Sequence, residues 1–271
     1  MKLTIITINR NNAIGLSKTM QSVLAQTLQD FEYIVIDGAS TDNSVDVIRS
    51  FDFSQRPFSW LSEPDTGIYN AMNKGIRMAN GEYLLFLNSG DYLIADDVLS
   101  KVFDTNPIAD IVVACINVSD KGKVLWTSPF LSKVTLKNLY FNGLPHQSTF
   151  IRRSLFDKYG MYREDFRYNS DMDFWYKSIV LGDASTQGAN VVTTDYNLQG
   201  QSSTDALSDT YLREKREILS NGFLPKVLPD YDQWKHESYL LQKYLWIEKY
   251  PRLQRILHLL FKIFNHFDKG L

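Results

Sequence analysis

The sequence predicts an α/β protein built around a parallel sheet, and three observations carry that prediction. Short apolar runs alternate with helix-spaced apolar residues through the first hundred positions. The runs end abruptly in polar loops. One of them, Tyr83 to Leu87, is wholly apolar, as a strand buried on both faces must be. Crossovers between parallel strands are right-handed, so the loops at Asn9, Asp37 and Asp91 are expected to emerge at one edge of the sheet. Open α/β sheets bind ligands at that edge.

Leu3 to Ile8 reads as the first strand, followed by the polar loop Asn9 to Asn12. Leu16, Met20, Val23 and Leu24 then recur at helical spacing. Phe31 to Ile36 is the second strand, ending in Asp37-Gly38-Ala39-Ser40-Thr41-Asp42, and Val45, Ile48 and Phe51 mark the next helix. Phe58 to Leu61 is the third strand, and Ile68, Met72, Ile76 and Ala79 define a third helix before the strand at 83 to 87. Beyond residue 100 the alternation loosens. Ile111 to Ile116 and Lys123 to Trp126 read as strands around the turn Ser119 to Gly122. The segment 140–176, dense in aromatic and polar residues, suits a substrate-facing surface. Leu207 to Leu219 is helical, and 230–267 reads as two helices broken at Pro251. The expected division is 1–205 for the α/β part (halves 1–100 and 101–205) and 206–271 for a helical extension.

Composition narrows the function. The chain has 271 residues, 44% hydrophobic and 22% charged, enough to bury a large core. A net charge of −2 argues against a general nucleic-acid binder. A lone cysteine, Cys115, rules out an internal disulfide or a thiolate zinc cluster and fits a reducing compartment. The start of the chain is too soon interrupted by Asn9 to read as a signal peptide, and no apolar run reaches the length of a membrane span. A cytoplasmic location is expected. Zinc spacings, a GxSxG elbow, a P-loop and a GxGxxG fingerprint are absent from the sequence.

The chemistry-bearing residues are carboxylates beside strand ends. Asp91, just past the apolar strand, is expected to be an exposed, hard ligand for a divalent cation shared with a phosphate, or else an ordinary turn and helix-capping residue. Asp65, between Pro64 and Gly67, is placed to cap the helix opening at Ile68. Asp171 and Asp173 on one helix would point about 200° apart, so they are not expected to share a task. His146, before the apolar strand Thr149 to Ile151, reads on its own as a satisfied structural histidine.

Taken together, the loops resemble family 2 glycosyltransferases of GT-A fold, over roughly residues 2–200. The resemblance rests on Thr7-Ile8-Asn9-Arg10, Ser22 to Thr27, Asp37 to Asp42, Glu63 to Gly75, the Asn88-Ser89-Gly90-Asp91 loop and Ser170-Asp171-Met172-Asp173-Phe174-Trp175. The stretch from Glu63 to Gly75 is particularly like the bacterial polysaccharide branch. The resemblance implies a Rossmann-like nucleotide-binding half fused to an acceptor-binding half, with a C-terminal helical extension. It implies inverting, metal-dependent transfer of one sugar from a nucleotide-sugar donor, with UDP the first choice, to a saccharide or lipid-linked saccharide hydroxyl. Asp171 matches the catalytic base and Asp91 the last acid of the metal motif, binding Mn2+ or Mg2+. Thr7, Asn9, Asp37, Asp65 and Ser89 match nucleotide-binding positions. His146 and Trp175 fall beside the acceptor and diphosphate. The chain departs from the family pattern in the metal motif, whose first acid is missing from Asn88-Ser89-Gly90, at Gly38, and at Ser170. Two rivals are a nucleotidyltransferase and a catalytically silent nucleotide-sugar-binding or scaffold protein.

The tail differs in charge. Residues 235–271 carry +4, leaving −6 for the rest. Ile256, Leu257, Leu260, Phe264 and Phe267 follow helical spacing, with Arg252, Arg255, Lys262 and Lys269 flanking. Such a helix can lie in an anionic membrane interface, here the cytoplasmic face of the inner membrane. The alternatives are packing on the catalytic part or on a second subunit of a homo-oligomer.

Overall fold

A computed structural model describes residues 1–120, 122–141, 143–198, 208–222, 227–248 and 250–268. The first compact unit runs from Met1 to Gly222 and the second from Phe223 to Leu271. The boundary therefore falls after the helix Asp209–Gly222, not at 205. That helix carries two residues of the first unit's core, Ile218 and Leu219.

The first unit opens with β1 (Leu3–Asn9), α1 (Ala13–Leu24), β2 (Phe31–Asp37), α2 (Ser44–Ser50), β3 (Phe58–Ser62), α3 (Ile68–Met78) and β4 (Tyr83–Phe86). It continues through β5 (Tyr92–Leu93), α4 (Val98–Asp104), β6 (Ile111–Asp120), β7 (Lys123–Thr127), α5 (Leu136–Phe141), β8 (Thr149–Arg152), α6 (Ser154–Tyr159), α7 (Ser170–Trp175), β9 (Thr186–Asn197) and α8 (Asp209–Gly222). Among the described residues nine strands form one sheet, ordered β3-β2-β1-β4-β8-β6-β9-β5, with β7 hydrogen-bonded to β6. The first four are parallel, and β8 joins β4 antiparallel. Chain order reverses between β1 and β4, which makes that crevice the switch point at the carboxyl ends of the strands. Every residue of β1, β2 and β4 is buried, because α1, α2 and α4 cover one face and α3 the other. Gly75 lets α3 close on the sheet: a Cβ there would stand 2.4 Å from Ile6 Cγ2.

The aromatic segment 140–176 plays two parts. Many of its residues, His146, Tyr168 and Asp171 among them, line the surface cleft as expected, while others build a second core. Phe156, Tyr162, Phe166, Phe174 and Trp175 are all buried. Phe156 stacks on Phe174 with centroids 4.5 Å apart, and Tyr162 sits edge-on to Phe86, Phe156 and Phe174. Composition could not separate the two roles, since aromatic rings serve sugar faces and cores alike. This core braces the short helix that carries Asp171 and Asp173.

The second unit contains α9 (Leu228–Glu248) and α10 (Pro251–Asp268). Pro251 begins α10, where its missing N–H costs nothing. No helix among the described residues is long and apolar enough to cross a membrane.

Phe174→Ala should remove a ring that is 2% exposed and leave a cavity against Phe156. Urea denaturation is expected to show a loss of about 3–5 kcal/mol. Leu125→Ala, on the exposed β7, should change stability by less than about 0.5 kcal/mol.

Candidate active site

The carboxyl edge of β1, β2 and β4 opens into a cleft of about 1320 Å³. Its walls take Asn9, Arg10 and Asn12 from the first loop, Asp65 to Tyr69 with Ala71 and Met72 from the entry and start of α3, and Asn88 to Asp91 from the loop after β4. From the second half come His146, Asp171 and Trp175, and from α8 Tyr211 and Lys215.

At the strand ends a polar knot forms because register places Asn9 beside Asp37 and Asp37 beside Ser62. Asn9 Nδ2 donates to Asp37 Oδ1 at 2.8 Å, and Ser62 Oγ to Oδ2 at 2.7 Å. Ser40 adds its backbone N–H at 3.0 Å and its hydroxyl at 2.5 Å. Burial alone would raise the Asp37 pKa, but these hydrogen bonds from Ser40, Ser62 and Asn9 together hold it below the usual range. Asp37 has no exposed surface and is not part of the cleft wall. Thr7 is equally buried, and its hydroxyl accepts from Tyr33 at 2.9 Å. These two positions, expected to touch nucleotide, lie beneath the cleft. Asn9 is the member of the knot that reaches the wall, and its Oδ1 is buried without a partner.

Asp65 does reach the cleft. Helix α3 receives no side-chain cap, so the capping alternative does not hold. Its carboxylate instead lies over Gly38, where a Cβ would stand 2.1 Å from Oδ2, with Arg10 Nη1 at 3.9 Å from Oδ1. Gly38 thus leaves room for the Asp65 carboxylate.

The loop after β4 is tied to α1. Asn12 caps that helix through Gly15 N–H and donates from Nδ2 to the Ser89 carbonyl at 3.0 Å. Thr19 accepts from Gly90 N–H at 2.9 Å and donates to the Asp91 carbonyl at 2.6 Å. This geometry turns Asp91 inward, so the expectation of an exposed carboxylate is corrected: Asp91 is only 9% exposed. Burial raises its pKa to about 7, opposed by the charge of His146 and a hydrogen bond with Gln147. Nor does Asp91 cap a helix; β5 follows it.

Asp171 stands where both halves of the first unit meet. Its Oδ2 is 3.4 Å from His146 Nδ1, and both side chains are 19% exposed. Its Oδ1 is 3.1 Å from the Tyr69 hydroxyl, which also donates to the Tyr168 carbonyl at 2.7 Å. Burial first, and Asp171 next, push the Tyr69 pKa well above that of an ordinary tyrosine, so Tyr69 keeps its proton. Burial would lower the His146 pKa, but the hydrogen bond and charge of Asp171, with the charge of Asp91, raise it above its usual value. His146 Nε2 lies 3.1 Å from Asn88 Nδ2. Asp173 is turned away and pairs with Lys177, as the helical angle predicts. Trp175 borders the cleft but is fully buried, its Nε1 unpartnered. Sequence reasoning singled out neither Tyr69 nor Thr19. Tyr69 lay inside the recognised stretch 63–75, whereas Thr19 gave no signal on an amphipathic helix.

Residues 4–164 match glycosyl transferase family 2, and the chain belongs to that family. A "PGL/p-HBAD biosynthesis glycosyltransferase" of Mycobacterium bovis (strain BCG) is 30% identical over 209 residues, 75% of this chain and 79% of the relative. An uncharacterized glycosyltransferase of Mycobacterium tuberculosis is 34% identical over 179 residues, 64% of this chain and 66% of the relative. Among solved structures, Staphylococcus aureus TarS 1–349 in complex with UDP-GlcNAc has a TM-score of 0.66 at 18% identity, covering 84% of this chain and 69% of that one. The mannosyltransferase PcManGT from Pyrobaculum calidifontis, in complex with GDP-Man and Mn2+, has a TM-score of 0.58 at 15% identity, covering 94% and 82%. The fold is GT-A and the protein is a glycosyltransferase.

Asp91 gives a pH test. Folded, it keeps its proton to about pH 7; unfolded, it loses it near the ordinary 3.8. The folded state therefore binds the extra proton between those values, and stability falls as pH rises through that window. The urea midpoint should drop between pH 4.5 and 7.5, and Asp91→Asn should flatten part of that drop. An equal slope in the variant would contradict the burial of this carboxyl.

Proposed function

We propose that this enzyme performs an inverting transfer of a single sugar from a nucleotide-sugar donor to an acceptor hydroxyl, with Asp171 as general base. The observation that carries the reading is the setting of Asp171: a partly exposed carboxylate on the cleft wall, between the protonated Tyr69 hydroxyl and His146. An inverting transfer needs one carboxylate to take the acceptor's proton opposite the departing diphosphate. A proton accepted at either Oδ atom finds Tyr69 or His146 alongside. Asp65 with Arg10, the unpartnered Asn9 Oδ1 and the Ser89 loop line the opposite end, which suits the nucleotide. A uridine diphosphate donor is favoured by the resemblance in the loops and agrees with the TarS complex.

A divalent cation fits this site only as one shared with the diphosphate. Among the described residues no three acidic, histidine or cysteine side chains form a cage. Asp91 and the unpartnered Asn88 Oδ1 both line the cleft, and they would hold it, with phosphate oxygens and water completing the shell. Bound there, Mn2+ or Mg2+ would neutralise charge on the departing diphosphate.

The acceptor we infer is a saccharide or lipid-linked saccharide of a bacterial surface polysaccharide, delivered at the cytoplasmic face of the inner membrane. Support comes from α10, where Leu253, Ile256, Leu259 and Leu260 are exposed beside Arg252 and Arg255. An apolar stripe with basic flanks suits an anionic lipid interface.

Release of nucleoside diphosphate from UDP-glucose, UDP-galactose, UDP-N-acetylglucosamine and GDP-mannose, with and without Mn2+, tests the donor. One donor should turn over, and Asp171→Asn should lower kcat by about 10²- to 10⁴-fold with UDP affinity retained. Activity surviving in Asp171→Asn would remove the assigned base. Separately, the full chain should co-sediment with vesicles containing phosphatidylglycerol and lose that binding in 0.5 M salt or as Arg252→Glu/Arg255→Glu. Binding indifferent to both changes would sink the membrane reading.

A further inference from the structure

Glu214 is a buried carboxylate, 2% exposed, on α8. It lies outside the cleft wall and has no part in the chemistry described so far. Its Oε1 accepts the backbone N–H of Arg167 at 2.7 Å. Its Oε2 accepts those of Tyr168 and Asn169 at 3.0 and 3.1 Å, and Asn169 Nδ2 at 3.3 Å. Three consecutive backbone N–H groups converging on one carboxylate make an anion cradle, and bonds to an ionised acceptor are the strong kind. Such convergence answers the cost of burying the charge.

The cradle sits immediately before α7, whose second residue is Asp171. Asn169 occupies the position before that helix, and its Nδ2 also donates to the Tyr211 carbonyl of α8 at 3.1 Å. The Tyr168 residue is thereby held from two sides. Glu214 takes its N–H, while the Tyr69 hydroxyl takes its carbonyl and stands 3.1 Å from Asp171 Oδ1. A shift of the 167–169 turn would move Asp171 relative to both Tyr69 and His146.

We propose that Glu214 is a positioning residue: from helix α8 it fixes the 167–169 turn and so sets the place of the Asp171 carboxylate in the cleft. This rests on the reading of Asp171 as the base. The charge matters as well as the shape. In a glutamine, the Nε2 group must face one or two of the same N–H groups, donor against donor. In an aspartate the charge survives but the reach is one methylene short.

The test uses the full chain as Glu214→Gln, Glu214→Asp and Asp171→Asn. Amide hydrogen exchange over residues 163–175 is read first and needs no substrate. Initial rates follow, with the donor selected by the panel above. Glu214→Gln should exchange at least about tenfold faster in that segment, with β1 to β4 unchanged. Its kcat should fall about 10- to 100-fold, as misplacement of a reacting group by an ångström does. Donor KM and UDP affinity should stay within about twofold, and Glu214→Asp should recover part of the kcat. Unchanged exchange in 163–175 would overturn the cradle. Faster exchange with wild-type kcat, or a parallel loss of UDP affinity and kcat, would overturn positioning, because the role would then be general stability. Should Glu214→Gln not fold, Glu214→Asp reads the same quantities. If Asp171→Asn stays active, the base assignment fails and the positioning role with it, whatever the exchange shows.

Discussion

The hydroxyl of Tyr69 is the point on which this site depends. It comes from the first turn of α3, in the half built by strict strand-helix alternation, yet both its partners belong to the second half. That buried phenol, together with Asn73 bonded to the Tyr162 backbone and to Glu164, ties α3 to the wall that carries Asp171. Tyrosine suits the task because burial keeps its proton in place while the ring packs against Tyr162. Phenylalanine would keep the packing and lose both contacts.

What surrounds that hydroxyl was unevenly legible in the sequence. The alternating half was readable almost element by element, since buried parallel strands must be apolar and their ends must turn polar. The convergence of the Asn9, Asp37 and Asp91 loops at one edge followed from the handedness of crossovers. The opposed directions of Asp171 and Asp173 followed from helix geometry. Other features depend on tertiary context. Whether Asp91 faces water is decided by Thr19 and Asn12, which hold the loop backbone from some seventy residues away. The strand-end motif marks a carboxylate but not which way it turns, and for Asp37 it turns inward. Glu214 reads as one more charge on an amphipathic helix, and its burial becomes apparent only when the 167–169 turn is placed against it.

The four carboxylates here show how environment, rather than residue type, assigns a role. Asp37 is dissolved in hydroxyl and amide donors and stays ionised as part of the scaffold. Asp91 has fewer donors to answer its burial and holds its proton to about pH 7. Glu214 is surrounded by backbone N–H groups that rotate with nothing and so act as fixed dipoles. Asp171 keeps solvent contact and touches two side chains that can each carry a proton. A group that must take and return a proton cannot sit in the setting of Asp37, where each carboxylate oxygen already accepts two hydrogen bonds.

That contrast also bears on the altered loop at residues 88–90. Asn88 carries no charge but presents an oxygen, and that oxygen is buried without a partner beside His146. An unpartnered buried acceptor is destabilising on its own account, since it has lost water and gained nothing. Proteins keep such groups where a ligand completes them. Asn9 presents a second unpartnered oxygen on the same wall, a strand away. The two amides bracket the loop edge of β1 and β4, where the switch point places a ligand. A polar ligand seated there would give both oxygens a partner.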